Sequence, residues 1–106
     1  MSQSGVWLIE SPVSMVAGEQ IAYSVDWLGA TSVSAPQAGV YRNGADITAE
    51  AMDGEDAHSV SGNVLTLKKL RALDDDGGAC YVLVVTANVD GNLERRKLLV
   101  RVVKPL

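Results

Sequence analysis

Two alternating segments joined by Asp90-Gly91 constrain this chain more than any other feature. In residues 79–89 the odd positions Ala79, Tyr81, Leu83, Val85, Ala87 and Val89 are all apolar or aromatic. In residues 95–103 the even positions Leu98, Val100 and Val102 are apolar. A period of two marks a strand with one buried face, and Asp-Gly is a strong signal for a two-residue hairpin turn. Folding the chain at that turn sets Leu83 opposite Leu98, Tyr81 opposite Val100 and Ala79 opposite Val102. Turn and hydrophobic pattern are independent signals, and they agree. A slip of one residue would turn the whole apolar set to the wrong face.

The rest of the chain reads as further short strands. In residues 19–27, Ile21, Tyr23, Val25 and Trp27 alternate with polar or small residues. Before them, residues 6–10 and 13–16 flank Ser11-Pro12 and read as a first strand broken at an edge, because proline donates nothing to a ladder. Residues 30–38 are small and polar, with Pro36, and read as a long loop or weak strand. Asn43-Gly44 announces a second hairpin, with Val40 opposite Ile47. Residues 49–61 are acidic and irregular. Residues 63–67 form a strand with Leu65 and Leu67 inward. Leu70 and Leu73, three apart, suggest a single helical turn before Asp74-Asp75-Asp76-Gly77-Gly78. About seven short antiparallel strands with turns every 8–12 residues make an all-β Greek-key sandwich or small barrel. A chain of 106 residues fits one such domain, spanning 1–106.

Composition narrows the class of function. The chain has no phenylalanine, so valine, leucine, isoleucine and alanine carry the core with Trp7, Trp27 and three tyrosines. Net charge is −4, which opposes generic nucleic-acid binding. Residues 1–67 hold one basic and eight acidic residues, while 68–106 hold eight basic and five acidic, so the halves stand at −7 and +3. A single cysteine, Cys80, rules out an intrachain disulfide. The first residues lack a basic, then apolar, signal pattern, and no run approaches the roughly 18 apolar residues of a membrane span. A start at Met1 and an end at Lys104-Pro105-Leu106 suggest a stand-alone protein made in the cytoplasm.

No catalytic constellation is visible. His58 is the sole histidine and reads as a solvated loop residue. Cys80 lies near three aspartates, which oppose a reactive thiolate, and reads as a small apolar filler in its strand. Asp53/Glu55/Asp56 and Asp74/Asp75/Asp76 are acidic enough for calcium, but neither matches a full calcium-loop pattern; both read as solvated loop charge. Alternation sends Arg95, Lys97 and Arg101 to one face and Arg96 to the other, which breaks any continuous basic stripe for nucleic acid. Basic residues on a last, edge strand guard against aggregation. No cofactor, metal, nucleic acid or membrane is expected, and the protein reads as a non-enzyme.

The order of strands and turns resembles an immunoglobulin-like domain. Residues 62–67 resemble its fifth strand, and the passage from Leu70 to Tyr81 resembles the approach to its sixth. The cysteine pair and third-strand tryptophan of antibody-type domains are absent, with Tyr23 or Val25 in the region of the early cysteine. Val25-Asp26-Trp27-Leu28 and residues 91–102 resemble small immunoglobulin-like proteins of tailed-phage structural-gene clusters, of fibre-to-tail adaptor or decoration type. That resemblance implies a non-enzymatic virion component that contacts copies of itself or other virion proteins, as a possible homo-oligomer. The alternative is a bacterial immunoglobulin-like adhesion or carbohydrate-binding module of a surface protein. The candidate interaction residues are Arg95, Lys97, Arg101 and Lys104 on or near the last strand, with Asp53, Glu55 and Asp56 in the acidic loop. Opposite charges on separate surfaces would let identical copies meet head to tail.

A fold built on apolar alternation alone melts at the same temperature with or without EDTA. A drop of many degrees on chelation would show that an acidic cluster holds a structural cation.

Overall fold

The computed structural model describes residues 13–52 and 57–105. The expected strand at 6–10, the break at Ser11-Pro12 and the acidic Asp53, Glu55 and Asp56 lie outside the described residues. Asp90 and Gly91 both take positive φ, 51° and 86°, the left-handed pair that a type I′ turn requires. They join β9 (Cys80–Val89) to β10 (Asn92–Val103), which pair antiparallel with Leu83 opposite Leu98 and Tyr81 opposite Val100. The ladder continues past its last paired residues, where the Val102 N–H donates to the Ala79 carbonyl at 2.9 Å. Leu83, Val85, Leu98 and Val100 are buried, while Lys97 and Arg101 face solvent.

The second hairpin joins β4 (Val33–Arg42) and β5 (Ala45–Asp46) through Asn43 and Gly44, at φ 52° and 81°. Val40 and Ile47 are both buried, and the Ile47 N–H donates to the Val40 carbonyl at 2.8 Å. Most of the stretch expected as a loop or weak strand is the first part of β4, beginning at Val33. Ser34 pairs with Asn88 and the ladder resumes at Gln37 with Thr86, so β4 advances three residues where β9 advances two. The extra residue is a β-bulge, with Ala35 at φ 50° and Pro36 beside it. A bulge accommodates a proline that has no N–H to give to the ladder.

β1 (Val13–Val16) lies parallel to β10, from Val13 opposite Val100 to Val16 opposite Val103. The larger sheet therefore runs β1-β10-β9-β4-β5. This corrects in part the expectation that the last strand is an edge: over Val100–Val102 it has a neighbour on both sides, β1 and β9. After β5 comes α1 (Thr48–Ala51), one short turn that buries Ala51.

The opposing layer contains β2 (Gln20–Ile21), β3 (Ser24–Asp26), β6 (Ser59–Ser61), β7 (Val64–Thr66) and β8 (Leu70–Arg71), paired as β2-β8 and β3-β7-β6. Ser24 faces Thr66 and Ile21 faces Leu70, three residues against four. β2-β3 and β7-β8 are thus two strand paths interrupted by one extra residue on the second, and the Leu67 N–H to Tyr23 carbonyl bond of 2.9 Å spans the gap. The helical turn expected from Leu70 to Leu73 is absent. Leu70 and Ala72 are both buried with strand periodicity, and the Ala72 N–H donates to the Glu19 carbonyl at 2.9 Å. The two layers enclose one core, to which Val25, Trp27, Leu65, Leu67 and Leu70 come from one side and Val40, Tyr81, Leu83 and Val100 from the other.

Two polar devices fix the ends of this sandwich. At one end Asp90 Oδ1 accepts the Thr31 and Ser32 N–H groups at 2.9 and 2.8 Å, and the Asp90 N–H donates to the Ser32 carbonyl at 2.9 Å. The β3–β4 loop is thereby tied to the β9–β10 turn. At the other end the Tyr81 hydroxyl accepts the Leu73 N–H at 3.0 Å and donates to Asp76 Oδ2. Arg42 approaches both oxygens of Asp76, at 2.6 and 2.8 Å. Asp76 is the one buried charged residue among the described residues. The cluster read as solvated loop charge is therefore split: Asp74 and Asp75 are exposed, and Asp76 turns inward. A carboxylate is tolerated there because a cation and a hydroxyl replace its water.

Truncating Leu83 to alanine removes a fully buried side chain from the centre of the core. The expected loss is about 2–5 kcal/mol in denaturant unfolding. Burial, then the bond to Asp76, pushes the Tyr81 hydroxyl up to about 12 from its ordinary 10. Because the folded state holds this proton more tightly, the associated stability is intact below about pH 10 and is lost as pH rises through 12. An absorbance titration of the tyrosinate should show one late-ionising tyrosine near 12, and Tyr81→Phe should remove it. That variant should also lose about 1–3 kcal/mol at neutral pH, because the Leu73 N–H and Asp76 each lose a partner.

Candidate functional site: the outer face of the five-stranded sheet

The alternation that buries the odd residues of β9 and the even residues of β10 sends the complementary set outward. On β10 that set is Leu93, Arg95, Lys97, Leu99, Arg101 and Val103. Beyond its bulge, β4 presents Gln37, Gly39 and Tyr41. Strand register assembles these into rows across the sheet: Gln37–Thr86–Arg95, Gly39–Val84–Lys97 and Tyr41–Val82–Leu99.

In the middle row residue 39 is glycine, and the Tyr41 ring takes the space its side chain would fill. A Cβ at that point would stand 3.2 Å from Tyr41 Cε1 and 3.6 Å from Thr48 Oγ1, so the Tyr41 ring lies partly over the bare backbone. Across these rows lies an open concavity of about 560 Å³, with Arg95 and Lys97 on one side and Asp46 and Thr48 on the other. Asp46 Oδ1 accepts the Thr48 hydroxyl at 2.6 Å and its N–H at 2.9 Å. These two bonds hold the Asp46 carboxyl below its ordinary pKa, so it stays ionised and its oxygen is already engaged.

The cations opposite are not engaged. The ion pairs among the described residues are Arg42–Asp76 and Arg96–Glu94, and Arg95, Lys97 and Arg101 take part in neither. Arg96, on the inner face as the alternation requires, meets Glu94 at 2.8 Å, and Glu94 accepts the Trp27 indole N–H at 3.2 Å. That trio closes one end of the core.

Of the candidate interaction residues, the structure brings Arg95 and Lys97 together on the concavity. Arg101 lies on the same face but further along, opposite Cys80 and Ser14. Lys104 is beyond β10 and packs over Gly77, where a Cβ would come within 2.5 Å of its Cγ. Asp53, Glu55 and Asp56 are outside the described residues. The concavity itself was not anticipated from sequence, although an isolated glycine within a strand pattern is a signal of close approach or open backbone.

Two single residues differ from expectation. Cys80 is exposed, not an apolar filler, because its even position on β9 points outward. His58 is half-buried, and its Nδ1 accepts the Lys68 N–H at 3.1 Å. Burial, then the charge of Lys68, lowers its pKa below 6.5. It lies in the loop before β6, but its ring is half-buried and accepts a backbone N–H, so it is less solvated than expected. Among the described residues no three histidine, cysteine, aspartate or glutamate side chains gather as a metal site.

No protein-family model matches the chain, and no curated protein sequence matches it. Solved structures do. The titin M10–obscurin-like 1 immunoglobulin complex in space group P1 is 21% identical at a TM-score of 0.50, over 90% of this chain and 88% of that one. The twitchin kinase fragment of C. elegans, with its immunoglobulin domains, is 11% identical at a TM-score of 0.51, over 91% of this chain and 20% of that one. At these identities the likeness concerns the fold, and it agrees with the strand order found above: the chain is an immunoglobulin-like β-sandwich.

Proposed function

We propose that this domain acts by assembly, binding other proteins through the outer face of its five-stranded sheet and turning over no substrate. The observation that carries the reading is the state of Arg95 and Lys97. Both are exposed and unpaired among the described residues, beside an open concavity and between two exposed leucines, Leu93 and Leu99. Exposed apolar surface next to arginine is the composition of a protein-binding patch more than of an inert surface. Over Val100–Val103 β1 already occupies the side of β10, so along that stretch the face and not the edge is open to a partner.

In its finer form the reading is of a structural protein of a tailed phage or prophage. It would be made in the host cytoplasm, carried in the virion, and in contact with copies of itself or neighbouring structural proteins. The resemblance of residues 25–28 and 91–102 to small immunoglobulin-like proteins of phage structural-gene clusters supports this form.

Sedimentation velocity of the pure protein at about 0.1 M and about 1 M salt tests self-assembly, since the screening length falls from roughly 10 Å to roughly 3 Å between them. Association at low salt that recedes at high salt is the expected result. Phage particles banded from a producing strain should also react with an antibody raised against the domain. A strict monomer under every condition, together with absence from the particles, would overturn the virion reading.

A further inference from the structure

We infer that His58 is an acid-sensitive latch on the β6–β7 hairpin: a proton on its ring breaks the bond that closes the open end of the hairpin. β6, the edge strand of the smaller layer, then loosens. The device lies on the layer opposite the proposed binding face and is independent of the assembly reading.

Strand geometry shows what the ring replaces. β6 and β7 pair from Ser61 opposite Val64 to Ser59 opposite Thr66. Continuing that register sets His58 opposite Leu67 and Ala57 opposite Lys68. Successive N–H groups along a strand point to opposite neighbours. The Leu67 N–H goes to the Tyr23 carbonyl, just before β3, at 2.9 Å. The Lys68 N–H therefore turns to the β6 side, where a further rung would offer a carbonyl. It meets His58 Nδ1 instead, at 3.1 Å. A side chain thus supplies the rung at which the backbone ladder stops. β6 has three residues, and β7 is its one hydrogen-bonded strand among the described residues, so a single rung at its open end matters.

That rung depends on the state of the ring. A backbone N–H can only donate, so the bond requires a lone pair on Nδ1 and places the ring proton on Nε2. Protonation sets a second donor at Nδ1 against the first. A carbonyl in the same place would be indifferent to pH near neutrality, whereas imidazole is the side chain that titrates there. Burial, then the charge of Lys68, opposes the imidazolium. Of the strands that β6 touches, β7 has no charged side chain and β4 has one, Arg42, which Asp76 engages. Glu50 on α1 is exposed. The folded state therefore takes up this proton at a lower pH than the ordinary 6.5 of the free side chain. Closure of the hairpin is intact above 6.5 and is lost as pH falls through the lower, folded-state value.

His58 is the sole histidine, so the imidazole signals of nitrogen-15-labelled protein need no assignment. The pH is lowered from about 7 to about 5, a window above the ordinary carboxylate range. At the start the ring should be neutral with its proton on Nε2, and its midpoint should lie below 6.5. Across the window the Lys68 amide should lose hydrogen-exchange protection, corrected for the intrinsic rate. Leu83 and Val85, on a strand flanked by β4 and β10, should keep theirs. In His58→Asn, where a side-chain oxygen accepts without titrating, Lys68 should stay protected throughout. In His58→Leu it should be unprotected at both ends of the window. Any of four results would overturn the inference. One is a midpoint at or above 6.5, as would follow if Asp53, Glu55 or Asp56 held the imidazolium. A second is a proton on Nδ1 at neutral pH. A third is Lys68 protection that does not change across the window, or that falls equally in His58→Asn. The fourth is loss of protection at Leu83 over the same range, which would make the change global. The unmutated protein's titration decides the matter even where a variant fails to fold.

Discussion

The antiparallel pairing of β9 with β10 is the constraint on which the rest of the structure depends. It supplies the longest ladder in the molecule and fixes which side chains enter the core. Two further strands of the larger sheet are placed by it directly: β4 pairs along the free side of β9 and β1 along the last residues of β10. The outward face is determined in the same act. Because a strand has only two faces, burying Leu98, Val100 and Val102 leaves Lys97, Leu99 and Arg101 no place but the surface. Core and candidate site are two readings of one register.

The polar contacts matter for a different reason, which is where strands begin and end. A sandwich without a disulfide between its layers needs other ties at the corners. Arg42 comes from β4, Tyr81 from β9, and Asp76 and Leu73 from the connection between layers, so one small network joins three parts of the chain. Its geometry resembles the tyrosine corner of immunoglobulin domains, in which a tyrosine hydroxyl bonds back to the backbone upstream. Here the hydroxyl also reaches a carboxylate, whose charge is matched by an arginine. Burial of an ionised group is tolerable only with such compensation, and the tightly held Tyr81 proton reflects it.

What was legible in the sequence, and what was not, divides along the range of the interactions. Both hairpins were legible, because Asn43-Gly44 and Asp90-Gly91 specify turns locally and the flanking alternation confirms them. The outward placement of Arg95, Lys97 and Arg101 followed from the same parity. The first part of β4 was hidden, since small polar residues and Pro36 carry no strand signal, and only pairing with β9 organises them around a bulge. Leu70 and Leu73 misled because a spacing of three fits a helical turn as well as a strand that ends in a corner. Asp76 looked like its exposed neighbours Asp74 and Asp75, and its burial depends on Arg42, 34 residues away. The concavity was hidden for a similar reason: its lining residues Gln37, Tyr41, Asp46, Val84 and Lys97 come from separate strands that only the sheet brings together.

The bond pair from Asp90 to Thr31 and Ser32 has a consequence for how the molecule can vary. Surface loops ordinarily change independently, because each is held by its own strand ends. Here the backbone N–H groups of the loop between β3 and β4 find their acceptor in a side-chain oxygen on a turn nearly 60 residues later. Its length and shape are therefore inherited jointly with residue 90. Asparagine or glycine at that position would keep the turn, and of the two only asparagine would keep an acceptor for the loop. A lineage that diversifies this end of the sandwich must change both loops together or leave both alone.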